Sequence, residues 1–246
     1  MDLSKINFSG ELPLEGTNNV RDLGGYCCHT DTPRVTRYHK FIRSAGLTYI
    51  TNKDIDILLS YGVKDVLDLR SQEEAAIQPN KLKDVEGINY YNIPLSIVDM
   101  VADITKEDKN FNMPEGYIKR IEHKEIIKGI IEYIANNLHG GFLFHCTAGK
   151  DRTGLIASIL LGLCEVSRGD IKANYEVSHT YMRENDDFMK AYETGKSKVF
   201  LSKARYMECV YDYVINTYGS YRNYLMDCGI KETDLDKIIE YFTEEI

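Results

Sequence analysis

Nothing in the chain reads as an export signal or a membrane span. Met1-Asp2-Leu3-Ser4-Lys5 has no basic segment leading into an apolar core, and no run approaches the ~20 apolar residues that a bilayer requires. The expectation is a cytoplasmic protein without stable membrane insertion. A surplus of basic charge is also missing. The 30 Lys and Arg are interspersed among 38 Asp and Glu, giving a formal net charge of −8. That balance argues against nucleic acid as the main ligand and offers nothing to an anionic membrane surface, so any anionic substrate has to be captured locally. The six cysteines have no paired spacing, which excludes a disulfide framework, and no metal spacing. Cys27, Cys28, Cys164, Cys209 and Cys228 read as small core or surface residues. What remains is 246 residues, 43% hydrophobic, enough to fill one sizeable domain over 1–246.

One stretch carries chemistry: His145-Cys146-Thr147-Ala148-Gly149-Lys150-Asp151-Arg152-Thr153-Gly154. It lies between Phe142-Leu143-Phe144, which reads as a short buried strand, and Leu155 to Leu163, which reads as a buried helix. Strand, glycine-bearing loop and helix start together make an anion site, because several loop amides can converge on one point and the helix dipole adds to them. A cysteine at the strand end of that cradle feels the same field, which favours its thiolate and makes Cys146 the candidate nucleophile. Arg152 can wrap back and offer a planar fork to two oxygens of a bound phosphate. Thr147, Ala148, Gly149, Lys150, Asp151 and Arg152 thus form the expected phosphate-binding loop, with phosphate or sulfate its expected ligand. Thr153 places a hydroxyl where it can hydrogen-bond the departing thiolate. The chemistry implied is phosphoryl transfer to sulfur, with no metal or other cofactor required.

This stretch resembles the Cys-x5-Arg signature of the cysteine-based protein tyrosine phosphatases. In detail it is similar to the atypical microbial branch of tyrosine and lipid phosphatases, whose loops resemble His-Cys-x-Ala-Gly-Lys-Asp-Arg-Thr-Gly. The resemblance extends to Asn18-Asn19-Val20-Arg21-Asp22-Leu23-Gly24-Gly25-Tyr26, Arg43-Ser44-Ala45 and Asp68-Leu69-Arg70-Ser71, and so covers most of the chain. It implies one phosphatase domain acting on phosphotyrosine proteins, with phosphoinositide and weaker phosphoserine or phosphothreonine activity beside it. Two readings from other classes stand against it. One is a phosphate-binding adaptor without chemistry, and the other is a sulfurtransferase of the rhodanese type, which also uses a loop cysteine.

The pattern along the chain predicts an α/β fold: a mostly parallel sheet of about four or five strands flanked by helices, with a helical C-terminal portion. The segment up to about Arg43 is rich in Gly, Asn and short polar runs, and Asn18 to Gly25 has the turn chemistry of irregular backbone, in which Arg21 and Asp22 pin a turn through local hydrogen bonds. Thr51 followed by Asp54 caps a short helix ended by Gly62; strands follow at Val63 to Leu69 and Ile88 to Ile93. Leu95 to Asn112 reads as an acidic loop. Isoleucines at steps of three and four predict one long helix from about Pro114 to Leu138. Further helices are expected at Asp170 to about Tyr192, Lys203 to about Tyr218, Ser220 to Met226 and Thr233 to Phe242, and the resemblance implies that Tyr181 to Ala204 could fold over the site as a lid.

The proton donor is the open assignment. Expelling a phenolate or alkoxide needs a placed carboxyl, and no Asp lies between Asp108 and Asp151. The candidates are Asp151 in the loop, Asp68 at a strand end, and Asp99, Asp103 or Asp108. Asp151 is preferred, because its loop position lies nearest the leaving group and the resembling branch carries Asp there. The bland alternative is a carboxylate that only tunes the charge of Lys150 or Arg152. His145 reads as a structural group that hydrogen-bonds the loop backbone. Lys150 reads as a rim cation for a second phosphate.

Overall fold

The computed structural model describes residues 10–95, 113–183, 189–190 and 202–246. Four short strands come first: β1 (Arg21–Asp22), β2 (Cys27–Cys28), β3 (Arg34–Thr36) and β4 (Phe41–Ser44). They are followed by α1 (Asn52–Tyr61), β5 (Val63–Asp68), α2 (Gln72–Ile77), a 3-10 turn at Lys81–Asp84 and β6 (Asn89–Asn92). Then come α3 (Met113–Glu122), α4 (Lys124–Asn136), β7 (Gly141–His145), α5 (Asp151–Leu163), α6 (Arg168–Glu176) and α7 (Ser178–Met182). The chain closes with α8 (Ala204–Tyr218), α9 (Tyr221–Asp227), α10 (Glu232–Phe242) and β8 (Thr243–Glu245).

The central sheet has the order β1-β4-β7-β5-β6, parallel throughout except for β1, which pairs antiparallel with β4 at one edge. This is the mostly parallel α/β architecture expected. β7 is buried along its whole length, as a strand covered by helices on both faces must be. Its side chains alternate between two cores. Phe142 and Phe144 join Phe41 and Leu67 on the face covered by α4, α5, α8 and α10, while Leu143 joins Ile42, Val63 and Val66 against α1. Truncating a residue such as Phe144 to alanine would cost about 3–5 kcal/mol.

Local signals place the flanking elements. The Thr51 hydroxyl accepts from Asp54 N at 3.1 Å and the Asp54 carboxylate accepts from Thr51 N at 2.8 Å, a reciprocal cap. Gly62 ends α1 at φ +96°. Ser167 caps α6 by accepting from Asp170 N at 3.0 Å.

The structure corrects four expectations. Within Asn18 to Gly25, expected as irregular backbone, Arg21–Asp22 forms β1 of the main sheet, and after it β2 and β3, which were not expected, join β8 in a second, three-stranded sheet. β8 escaped the sequence because it is three residues long and exists only through its partner; Phe242 packs edge-on against Phe41 at 4.7 Å and delivers it there. Second, the long helix breaks at His123, whose ψ of 68° is not helical. Ile121 and Ile130 lie in one core, yet in an uninterrupted helix at about 100° per residue they would lie on faces about 180° apart. The break resets that phase. Third, α2 was not anticipated, and fourth, the helix expected from Asp170 ends at Glu176 and resumes as α7. The acidic loop, with Asp99, Asp103 and Asp108, lies outside the described residues, as does most of the suggested lid at Tyr181 to Ala204. Among the described residues, no helix is long and apolar enough to cross a membrane, and no cluster of ligating side chains is placed for a metal ion.

Candidate active site

His145 ends β7 between two neighbours in register, Ser44 of β4 and Asp68 of β5. The loop that follows therefore leaves the carboxyl edge of the sheet at its centre, the place where an open α/β sheet presents a ligand crevice. Cys146, at the start of that loop, is buried. The loop is held by its carbonyls. Thr147 O accepts from Gly46 N at 3.0 Å, and Ala148 O accepts from the Asn19 side-chain amide at 3.0 Å. Gly149 O accepts from the same amide at 2.9 Å and from Arg43 Nη2 at 2.7 Å. Because each trans peptide points its C=O and the next N–H in opposite directions, tying these three carbonyls to the scaffold turns the amides of Ala148, Gly149 and Lys150 to the other face of the loop. Gly149 permits this path. Its φ is +64°, and a Cβ there would sit 2.4 Å from Ser44 O.

His145 is fully buried and performs the structural task expected of it. Its Nδ1 lies 3.0 Å from Cys146 O and its Nε2 lies 2.8 Å from the Asn80 side-chain nitrogen. Asn80 Oδ1 accepts from Leu82 N at 2.8 Å, so the nitrogen of that amide is the group that donates to Nε2, which leaves Nδ1–H to donate to the loop carbonyl. Burial holds the imidazole below its ordinary pKa, against the pull of Asp68.

Asp68, the strand-end candidate for the proton donor, does end β5. It is fully buried, and it accepts from Arg70 Nε at 2.9 Å, Arg70 Nη2 at 2.6 Å and Tyr90 Oη at 3.0 Å. Burial alone would raise its pKa. The Arg70 hydrogen bonds outweigh that and hold the carboxylate below the usual range. A carboxylate so sealed and so fixed in its charged form is unsuited to donating a proton to a leaving group.

Asp151 opens α5 with its side chain 29% exposed, 3.2 Å from Lys150 Nζ. Tyr117 of α3 donates its hydroxyl to Asp151 Oδ1, and the Tyr117 hydroxyl lies 2.7 Å from that of Tyr175 on α6. Both tyrosines are buried. One carboxyl oxygen is thus pinned from inside the protein. Lys150 departs from expectation: it is 1% exposed rather than a rim lysine, its ammonium turned inward beside Asp151. The Thr153 hydroxyl is buried and makes no hydrogen bond among the described residues, so the anticipated bond to Cys146 is not formed.

Arg152 leads to a residue that the sequence reading missed. Glu74 of α2 accepts from Arg152 Nη1 at 2.6 Å and Nη2 at 2.9 Å, and from the Thr147 hydroxyl at 2.8 Å. Burial pushes the Glu74 carboxyl up, but Arg152 outweighs it and brings the pKa down to about 2. A signal for it existed. Ser71-Gln72-Glu73-Glu74 is a capping box, with Ser71 N donating to Glu74 Oε2 at 2.8 Å and Glu74 N donating to Ser71 Oγ at 3.1 Å. The box builds α2, and α2 carries Glu74 to the loop.

Residues 12–244 match the model of the tyrosine phosphatase family. Among curated proteins, a tyrosine-protein phosphatase of Nostoc commune is 31% identical over 231 residues, covering 87% of this chain and 78% of that protein. The triple specificity protein phosphatase PtpB of Mycobacterium tuberculosis is 25% identical, covering 93% of this chain and 96% of its own. Among solved structures, TpbA of P. aeruginosa covers 65% of this chain and 91% of its own at 15% identity, with a TM-score of 0.36, too low to carry an argument about the site.

Proposed function

The chain belongs to the tyrosine phosphatase family, and from that premise we propose that it hydrolyses phosphomonoesters through a phospho-cysteine at Cys146. The Cys146 thiolate attacks phosphorus, the bond to the ester oxygen breaks, and the departing oxygen takes a proton from Asp151. Water then attacks the phospho-cysteine, Asp151 takes up its proton, and Cys146 leaves as thiolate. The amides of Ala148, Gly149 and Lys150 and the Arg152 guanidinium hold the three non-bridging oxygens as charge redistributes over them. Glu74 fixes the plane of that guanidinium. The observation that carries this reading is the outward tethering of three consecutive loop carbonyls beside Cys146, because it turns the opposite peptide edges into a preorganised anion cradle.

Asp151 is the proton donor in this reading, since Tyr117 occupies Oδ1 and leaves Oδ2 to carry the transferable proton. Replacing Asp151 with Asn should slow aryl phosphates with poor leaving groups far more than those with good ones. Equal losses would move the role elsewhere.

Phosphotyrosine is the first substrate class and phosphoinositide the second, with phosphoserine and phosphothreonine weaker. The mycobacterial relative's name, triple specificity, supports breadth. The burial of Lys150 weighs against a wide, many-phosphate mouth and favours a single phosphoryl group. Cys146→Ser should abolish turnover of p-nitrophenyl phosphate and retain phosphate binding. Wild type with thiosulfate as substrate tests the sulfurtransferase alternative, and no turnover of either substrate would leave the adaptor.

A further inference from the structure

Two arginines lie buried behind the loop with no carboxylate partner among the described residues. Arg21 of β1 is 5% exposed and Arg43 of β4 is 0% exposed, and they neighbour each other across the β1–β4 pairing. Among the described residues, every hydrogen bond that either makes goes to a neutral oxygen. Arg21 donates to Asn19 O at 3.2 Å, to the Asn19 side-chain oxygen, to Asn174 O at 2.6 Å and to Ser178 Oγ at 2.9 Å. Arg43 donates to Asn174 Oδ1 at 2.5 Å and Gly149 O at 2.7 Å, with longer contacts at 3.5 Å to Lys150 O and 3.4 Å to Ser178 Oγ. The Nε of each is buried with no hydrogen-bond partner among the described residues. The same two residues of α6 and α7, Asn174 and Ser178, hold both guanidinium groups, so two like charges share one polar nest.

Such a pair is costly: a buried ion without a counter-ion is among the most unfavourable arrangements in a protein interior. Burial and mutual repulsion hold Arg21 well below its ordinary pKa, and burial brings Arg43 down to about 10. The acidic groups felt by Arg43 are those of the site itself, Cys146 and Asp151, with Tyr26 and Tyr175; those felt by Arg21 are Glu11, Tyr26 and Tyr181.

We propose that Arg21 and Arg43 are positioning residues of the anion site, two buried charges whose counter-anion is the Cys146 thiolate and the phosphoryl group bound above it. The assignment rests on the phospho-cysteine reading. It gives the loop a charged floor: Arg43 holds the Gly149 carbonyl while its charge, with that of Arg21, raises the potential at Cys146. It also explains why a chain of net charge −8 needs no exposed basic surface to draw an anion in.

The test reads local potential without needing turnover. Iodoacetate and iodoacetamide are nearly equal in size and attack the same thiolate, but only iodoacetate is an anion. The ratio of their alkylation rates at Cys146, followed by mass spectrometry because Cys27 and Cys209 are exposed, reports the field while the thiolate fraction cancels. Wild type should favour iodoacetate. Arg43→Met should lower the ratio about tenfold and Arg21→Met about threefold, with Arg43→Lys and Arg21→Lys restoring most of it. A purely structural role would slow both reagents alike and leave the ratio unchanged, which overturns the proposal. Asn174→Asp decides the matter should the methionine variants fail to fold. It places a carboxylate of the same shape against Arg43 beside Arg21, so the melting temperature should rise while inorganic phosphate, measured as a competitive inhibitor, binds about fivefold more weakly. A lower melting temperature, or unchanged phosphate inhibition, sinks the idea. If Cys146 resists both reagents and Cys146→Ser retains turnover, the phospho-cysteine reading fails first and this assignment falls with it.

Discussion

Two arginine–carboxylate pairs bracket the start of α2, and they put the same chemistry to different ends. Asp68 and Arg70 are both buried, at 0% and 1% side-chain exposure, and their charges are used up on each other and on the backbone around them, Arg70 Nη1 donating to Gln78 O at 2.8 Å. Glu74 and Arg152 are more open, at 35% and 14%, and meet at the loop itself. The first pair is a rivet joining β5 to the segment after it. The second holds a cation in the plane where an anion binds, which requires that the pair be accessible. Burial rather than ionic contact distinguishes structure from chemistry here.

The largest expected effect is on the open pair. Arg152→Lys keeps the charge but loses the planar fork, and kcat/KM should fall by about 10^2–10^3, the scale of losing preorganised oxyanion donors, with little change in melting temperature. Arg70→Lys should do the reverse. If Arg70→Lys costs as much turnover as Arg152→Lys, the division between the pairs is wrong.

Next comes the sealed carboxylate. Asp68→Asn leaves Arg70 charged and unpaired in the interior, and should destabilise the protein by about 3–5 kcal/mol in urea unfolding, while the folded fraction keeps its ratio of rates on poor and good leaving groups. A selective loss on poor leaving groups would hand the proton-donor role to Asp68 after all.

Glu74 gives a pH test of the open pair. Its folded carboxyl titrates at about 2, below the unfolded value of about 4.3. The stability it supplies is present above the unfolded pKa and is lost as pH falls through the folded one. Urea midpoints of wild type and Glu74→Gln should therefore differ at pH 6 and converge between pH ~4.3 and ~2. At neutral pH the same variant should weaken phosphate inhibition about five- to tenfold, since a guanidinium that has lost its carboxylate clamp must be ordered on binding. Midpoints that stay parallel down to pH ~2 would show the contact to be energetically idle.

The sequence made the loop legible because its meaning is local: Cys146, Gly149 and Arg152 sit within one strand–loop–helix unit, and the apolar runs on both sides declare that unit. The α1 cap, the Ser167 cap and the helices from Ala204 onward were legible for the same reason. What stayed hidden depends on distant partners. β8 is defined by β3, more than two hundred residues away in the chain, and Arg21, read as pinning a local turn, does bond Asn19 but also reaches Asn174 and Ser178. Asp22 beside it does serve the local turn, accepting from Gly24 N at 2.6 Å. Lys150 misled because a lysine in a polar loop is ordinarily solvated; its burial follows from Asp151 and the packed elements around it, which no spacing rule encodes.

The smallest effect expected concerns how the proton donor is held. Tyr117 reaches Asp151 from α3, with Tyr175 at its back from α6, so the carboxyl is oriented by a hydroxyl that never meets substrate. Tyr117→Phe removes that hydrogen bond together with the one shared with Tyr175; the bond to Asp151 is worth about 0.5–1.5 kcal/mol, or roughly three- to tenfold. The loss should appear in kcat for alkyl and poor-leaving-group aryl phosphates, and vanish for good leaving groups, which depart without a proton. KM should hold, because the cradle of amides and Arg152 is untouched. In Asp151→Asn the added Tyr117→Phe change should cost almost nothing, since the group it orients no longer donates a proton. Additive losses in that double variant would show that Tyr117 acts on packing alone and that Asp151 keeps its orientation without it.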